Sequence, residues 1–152
     1  MTRLKTAAVA AIAALSATAA SAQSDPMQAA VNARQAHMQL FAHNLGILGG
    51  MARGNMDYDA TIATAAATDL VALASVSQQA YWPEGSDIEG SDALPAIWEN
   101  PEDFATHRAD LLDAATALAV VAGDGLEGLG GGLRGVGGTC GACHEDYRVS
   151  DD

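Results

Sequence analysis

The stretch "GLEGLGGGLRGVGGTCGACHEDYR", residues 125–148, decides whether the chain ends in a linker or in a helix. Ten of the 16 glycines lie between positions 123 and 141, and a glycine inside a helix costs about 0.5–1 kcal/mol relative to alanine. Apolar residues nevertheless recur in steps of three and four, with His144 beside the same face. A linker has no reason to keep this pattern, which predicts a helix over about 124–148 that is weak on its own. The stripe is Leu126, Leu129, Leu133, Val136, Cys140, Cys143 and Tyr147.

Two more helices are indicated in the first half of the chain by capping residues and by apolar stripes of the same period. The first has Asp25 as N-cap, Pro26 at its first position and Gly54 as its stop. The second covers about 58–80, with Asp57 or Asp59 as its cap. Their stripes are Val31, Arg34, Met38, Phe41, Leu45 and Leu48 in the first, and Ile62, Ala66, Leu70, Leu73 and Val76 in the second.

The third helix follows a loop at about 80–100 that contains one short helical turn at 95–98 and is packed onto the core by Trp82 and Trp98. This helix has Asn100 as N-cap and Pro101 in its first turn, and it continues to Gly123. Its stripe is Phe104, Leu111, Leu112, Ala115, Leu118 and Val121.

Four helices of roughly 20–25 residues, without strand-like alternation, predict an all-α fold. The short and long connections favour an antiparallel up-down-up-down four-helix bundle.

The first 22 residues have the pattern of an export signal. Basic Arg3 and Lys5 precede a short apolar run, which ends in the small residues Ala20, Ser21 and Ala22. The run is shorter than the roughly 20 residues that a membrane span needs. We therefore expect cleavage after Ala22 and a single periplasmic domain formed by residues 23–152.

Cleavage would leave five arginines against 19 acidic residues, a formal charge of −14 without any lysine. Such a surface disfavours nucleic acid and anionic membranes, and no basic patch interrupts it. A redox partner, whose identity the sequence leaves unknown, would be basic or weakly charged.

The only two cysteines, Cys140 and Cys143, are three residues apart and are followed directly by His144. A redox dithiol of the thioredoxin type belongs at the start of a helix in a βαβ unit, whereas this motif ends a helix. A zinc site would need Cys143 and His144 to converge, although neighbouring helical residues point about 100° apart. Two thiols on one face can instead bind the two vinyl groups of a porphyrin, with His144 as axial ligand of the iron. The motif therefore predicts one covalently attached haem c per chain.

The chain resembles the class II c-type cytochromes, the cytochrome c prime family, over about residues 27–148. The similarity includes "ARQAHM" (33–38), "GNMDYDA" (54–60), "LPAIWENPEDF" (94–104) and "VGGTCGACHEDYR" (136–148), of which the last is the most specific. The resemblance implies thioethers at Cys140 and Cys143 and a proximal iron ligand at His144. It also implies that Arg34 faces a haem propionate and that Arg148 shields the proximal side of the haem.

By the same resemblance Met38 faces the open side of the iron. In high-spin members an apolar residue there leaves the iron five-coordinate, in a dry pocket that favours nitric oxide and carbon monoxide. In low-spin members a methionine there is the sixth ligand of a plain electron carrier. Methionine suits both arrangements. The loop and "VGGTC" resemble the high-spin members more, which favours the five-coordinate form.

The sequence therefore predicts a periplasmic haem protein that binds small gases and transfers single electrons, with the His/Met electron carrier as the alternative. An enzyme is not indicated, because no distal acid–base pair is apparent. His37 and His43 are expected to avoid the iron, and His107 is expected to be solvated. The resemblance also implies that the chain can form a homodimer through its first two helices.

Overall fold

The computed structural model describes residues 25–150, and these residues form an all-α four-helix bundle. The four long helices are α1 (Pro26–Ala52), α2 (Ala60–Ser75), α4 (Pro101–Val121) and α5 (Leu126–Tyr147), and the short α3 is Ala96–Glu99. Helix α1 packs on α2, α2 on α4 and α4 on α5, while α5 returns to α1. The predicted up-down-up-down bundle is confirmed. The expected signal peptide, 1–22, lies outside the described residues.

Helix starts follow the capping residues that the sequence offers. The Asp25 carboxylate accepts a hydrogen bond from the Met27 backbone N–H at 2.9 Å. At the start of α2 the cap is Asp59, not Asp57, and it accepts from two backbone N–H groups at 2.8 and 3.0 Å. Asn100 stands at the N-cap of α4, but its side chain makes no capping hydrogen bond and donates instead to the Ala96 carbonyl. Helix α2 ends at Ser75, before the predicted end near residue 80.

The buried face of α2 differs from the predicted stripe. Ile62 and Val76 were expected in the core, but they are 47% and 37% exposed. The interior face of α2 is formed by four alanines and Leu70, whereas Ile62 lies on the opposite face and Val76 lies beyond the last residue of the helix, at its C-cap. The buried residues of α2 are Ala63, Ala66, Ala67, Leu70 and Ala74.

Some glycines of α5 are explained by close packing rather than by flexibility. A Cβ atom at Gly132 would lie 2.6 Å from Leu118 Cδ1 and 3.0 Å from Leu118 Cα. At Gly128 it would lie 2.8 Å from the Val121 carbonyl oxygen. These positions bring α5 against α4. Leu129 and Val136 of α5 are fully buried in the core, whereas Leu126 at the helix start is 51% exposed.

We predict that Gly132→Ala destabilises the protein by about 1–3 kcal/mol, since the added methyl group overpacks the contact with Leu118. The matched control is Gly138→Ala in the same helix, where no atom lies within 4 Å of the new Cβ. That control should stabilise by about 0.5–1 kcal/mol through helix propensity. Urea unfolding of the two variants tests the pair, and a stabilising Gly132→Ala change would contradict the packing explanation.

Within residues 25–150, the helices are too short or too polar to cross a bilayer.

Candidate cofactor site

Two adjoining clefts run along the seam between α1 and α5, and they share Met38, Trp82 and His144. The outer cleft is partly polar. The inner cleft continues it into the bundle and is mainly apolar. The outer cleft is completed by Arg34, Gln35, Gln39, Asp92, Ala93 and Arg148. The inner cleft is completed by Phe41, Ala74, Gln78, Ile97, Phe104, His107, Arg108, Leu111, Cys140, Cys143 and Tyr147.

Both cysteines lie on α5 as free thiols and line the inner cleft, each about half-buried. Burial raises the pKa of Cys140. Burial, with added repulsion from Cys140, Asp146 and Asp103, raises the pKa of Cys143 to about 11. This shift is opposite to that of a reactive redox dithiol, in which the thiolate is stabilised. The surroundings therefore disfavour the thiolate form of Cys140 and Cys143, and both side chains of α5 line the same cleft.

His144 follows Cys143 and lies where the two clefts meet. Partial burial and the positive charge of Arg148 lower the pKa of the His144 imidazole. A lowered pKa favours the neutral ring, which is the form that binds a metal. Helix α5 thus presents two thiols and one neutral imidazole to the same seam.

Met38 belongs to the opposite wall, on α1, and is 39% exposed along both clefts. The adjacent His37 is buried and points away toward α2. Its Nε2 donates a hydrogen bond to the Leu73 carbonyl at 3.0 Å, and its ring stacks on Phe41 at 5.2 Å. His43 is exposed. Among the histidines and methionines of α1, Met38 is the one that lines both clefts together with His144.

Arg34 is only 4% exposed and holds the loop between α2 and α3 against α1. One terminal nitrogen, Nη1, donates to the Tyr81 carbonyl and the Ser86 hydroxyl at 3.0 and 2.8 Å. The other, Nη2, donates to the Ser86 carbonyl and the Ser91 hydroxyl, both at 2.6 Å. All four terminal N–H groups are thus engaged with the loop, and the guanidinium also lies 4.7 Å from the Trp82 ring. Its contact with a haem propionate stays a prediction.

The far end of this loop is attached to the chain just beyond His144. Leu94 N–H donates to the Tyr147 carbonyl at 3.0 Å, and Val149 N–H donates to the Asp92 carbonyl at 2.9 Å. Arg148 is therefore the C-cap of α5, in extended conformation, and not its last helical residue as predicted. It lines the outer cleft beside His144. A shielding role toward a haem stays a prediction.

Three contributors to the seam were not identified from the sequence. Trp82 packs edge-on against Phe104 at 5.1 Å and forms a wall of both clefts, in addition to the expected packing of the loop. Arg108 lines the inner cleft, and its Nε is buried without a hydrogen-bond partner among residues 25–150. Ser86 is fully buried as a partner of Arg34. Of these three residues, only Trp82 could have been predicted from the sequence, because it is a large aromatic residue in a polar loop.

The prediction that His107 is solvated is wrong. Its side chain is only 17% exposed and lies between Asp103 and Asp146. The ring also meets the edge of Tyr147, with centroids 5.7 Å apart. Helix α5 covers this face of α4. The sequence of α4 alone does not indicate this contact.

The residues of the seam fit a flat, largely apolar group attached by two thioethers. The thiols of Cys140 and Cys143 face an apolar cleft, and His144 offers a neutral imidazole next to them. The buried, unpartnered Arg108 Nε is one polar atom that the apolar lining leaves unsatisfied. A haem c, with two vinyl carbons for the thiols and an iron for the imidazole, matches this donor set.

Comparison with known proteins agrees with this assignment. The family model described as Cytochrome C′ matches residues 28–148. Cytochrome c-554 of Cereibacter sphaeroides is 44% identical over 128 residues, which cover 82% of this chain and 84% of that protein.

Solved structures agree as well. A cytochrome c′ from Rhodobacter Spheriodes superposes with a TM-score of 0.80 at 36% identity, covering 84% of this chain and 99% of that one. A nitric oxide complex of a mutant cytochrome c prime from Alcaligenes xylosoxidans matches with a TM-score of 0.73 at 31% identity, covering 82% and 97%.

Proposed function

The chain belongs to the cytochrome c′ family, whose haem c is covalently attached, and on that premise we propose that it binds nitric oxide and carbon monoxide. Cys140 and Cys143 hold the haem and His144 is the proximal ligand of its iron. When bound, the haem supplies the gas-binding and one-electron chemistry. The observation that carries the proposal is the apolar inner cleft, in which Met38 of α1 faces the seam opposite His144.

The walls of the inner cleft select the ligand. The side chains of Phe41, Ala74 and Ile97 are buried and offer only carbon atoms to the cavity. The polar part of its lining comes from other residues, among them Gln78, His107 and Arg108. The carbon-only part of this lining gives little stabilisation to water or to an anion, because a buried charge without a partner is unfavourable. A small neutral gas loses little hydration on entry. We therefore propose that Met38 lies over the gas site without binding the iron, which stays five-coordinate.

The nitric oxide complex of a related structure supports this proposal. Electron transfer is included in it, since a single haem exchanges one electron at a time with a partner. A purely electron-carrying, six-coordinate protein is the second candidate. It is favoured by the thioether of Met38, which lines both clefts with His144 and is the kind of donor that iron accepts.

Rates of carbon monoxide binding separate the two candidates. If Met38 is only a cover, the observed rate for the reduced holoprotein should rise linearly with carbon monoxide concentration. If Met38 is bound to iron, it must dissociate first, and the rate should level off at the rate constant of that dissociation. Stopped-flow absorption over a wide range of gas concentrations gives the answer. A plateau would reject the five-coordinate proposal in favour of the electron carrier.

The remaining parts of the proposal concern location and association. The amino-terminal pattern and the family support a periplasmic protein without enzymatic activity. A homodimer through α1 and α2 is supported by an apolar groove between these helices, where Leu40 and Val76 are 52% and 37% exposed. The chain has a formal charge of −12, so a redox partner should have a basic or weakly charged surface.

A further inference from the structure

A second group of metal-ligating side chains lies between α4 and α5, apart from the thiols and His144. Asp103 and His107 are one helical turn apart on α4, and Asp146 is on α5. His107 Nε2 lies 3.5 Å from Asp103 Oδ2 and 3.4 Å from Asp146 Oδ2. One ligand atom from each residue falls within 4.8 Å of the other two. The arrangement joins two helices and includes an imidazole, so it is more than a patch of surface carboxylates.

These separations are within the range of ion pairs but are long for charge-assisted hydrogen bonds, and they suit ligands of one small cation. A charge-assisted hydrogen bond between a histidine nitrogen and a carboxylate is about 2.7–2.9 Å long. Around zinc, with metal–ligand distances of about 2.0–2.2 Å, tetrahedral geometry places neighbouring ligand atoms about 3.3–3.6 Å apart. Both distances from the histidine nitrogen fall in this second interval. A single Nε2 atom also has only one hydrogen and could not donate well to two carboxylates.

The surroundings hold the ligands in place and leave one side open. Tyr147, buried at the end of α5, donates from its hydroxyl to Asp103 Oδ2 at 2.6 Å. Hydrogen bonds of this kind orient carboxylates that bind metals. The His107 side chain is 17% exposed, whereas those of Asp103 and Asp146 are 61% and 57% exposed. A cation could therefore enter from solvent and keep a water molecule as its fourth ligand.

We propose that Asp103, His107 and Asp146 bind one divalent transition-metal cation of the zinc type. The net negative charge of the chain favours accumulation of such cations at its surface. His107 and Tyr147 also line the inner cleft with Cys143, so the ion would lie beside the covalent haem. Its positive charge should disfavour the oxidised haem and raise the reduction potential. The cation site does not depend on whether the haem binds gas.

Equilibrium dialysis of the holoprotein against zinc, after treatment with a chelator, tests the site. We expect one saturable zinc ion per chain. Asp146→Asn should weaken binding by at least about tenfold, since losing even an outer partner of a metal ligand costs about 10–100-fold in affinity. The control is Asp113→Asn, an exposed change on α4 that removes the same charge. It should leave the affinity within about twofold, because long-range attraction is screened by salt.

Redox titration of the same proteins gives an independent measurement. At a zinc concentration near the dissociation constant of the unmodified protein, zinc should raise the haem reduction potential of that protein and of Asp113→Asn, and should raise that of Asp146→Asn much less. Absence of saturable binding would overturn the proposal. Equal loss of affinity in the two variants would do so too, because it would show diffuse attraction to an acidic surface rather than a site.

Discussion

Replacing Cys140 and Cys143 together by alanine is expected to abolish covalent haem and to unfold much of α5. This helix contains eight glycines among its 22 residues. At about 0.5–1 kcal/mol each relative to alanine, they disfavour the helix by about 4–8 kcal/mol. Domains of this size are stable by only about 5–15 kcal/mol in total. The covalent haem supplies the apolar surface on which a helix of this composition can stay folded.

The choice of alanine makes the experiment selective. Alanine is the strongest helix former, so the substitutions themselves favour α5. A loss of helix must then come from the missing haem. Intact mass measures attachment, and far-UV circular dichroism with thermal unfolding measures helix content and stability. A variant without haem that remains as helical and as thermostable as the unmodified protein would show that packing within the bundle maintains α5 without the haem.

Shortening Met38 to alanine is expected to accelerate carbon monoxide binding by about tenfold or more, which corresponds to removing about 1.4 kcal/mol from the barrier. In our proposal the thioether covers the gas site without binding iron, and alanine uncovers it. Met38→Leu is the matched control, since leucine has a similar volume but no sulfur. It should keep both the rate and the visible spectrum close to those of the unmodified protein.

The spectrum of Met38→Leu shows whether Met38 binds the iron, which would contradict the proposal. If Met38 is an iron ligand, removing the sulfur must change the spectrum from low spin to high spin even though the volume is kept. Leucine and alanine would then resemble each other and differ from the unmodified protein. The structure places Met38 on a solvent-accessible part of α1, 39% exposed, so neither substitution should prevent folding.

Local signals predicted much of this molecule. Asp25 and Asp59 each begin a helix because a side-chain oxygen two or three residues away can satisfy free backbone N–H groups. The stripe through Leu129, Val136 and Tyr147 correctly predicted a helix in a segment whose composition suggests a linker. The spacing of Cys140, Cys143 and His144 along a helix also indicated that their side chains lie close together, and all three line the inner cleft.

Features that depend on contacts between distant segments were either missed or, for Ile62, Val76 and His107, wrongly predicted. Arg34 is held by loop residues such as Ser86, 52 positions away, and no local pattern indicates that pairing. Ile62 is outside because α2 buries the face that carries its alanines and Leu70, and Val76 is outside because the helix has ended before it. His107 is enclosed by Asp146 of another helix, and Arg108 extends into a cleft formed only when the helices assemble. Periodicity shows that a residue belongs to a face but not what covers that face.

The visible absorption spectrum of the reduced holoprotein, recorded before and after addition of carbon monoxide, tests the central proposal most directly. An iron held by His144 with an accessible opposite side should give a broad high-spin Soret band that changes markedly when the gas is added. Sharp low-spin bands that carbon monoxide leaves unchanged would contradict gas binding and assign Met38 as the sixth ligand of an electron carrier.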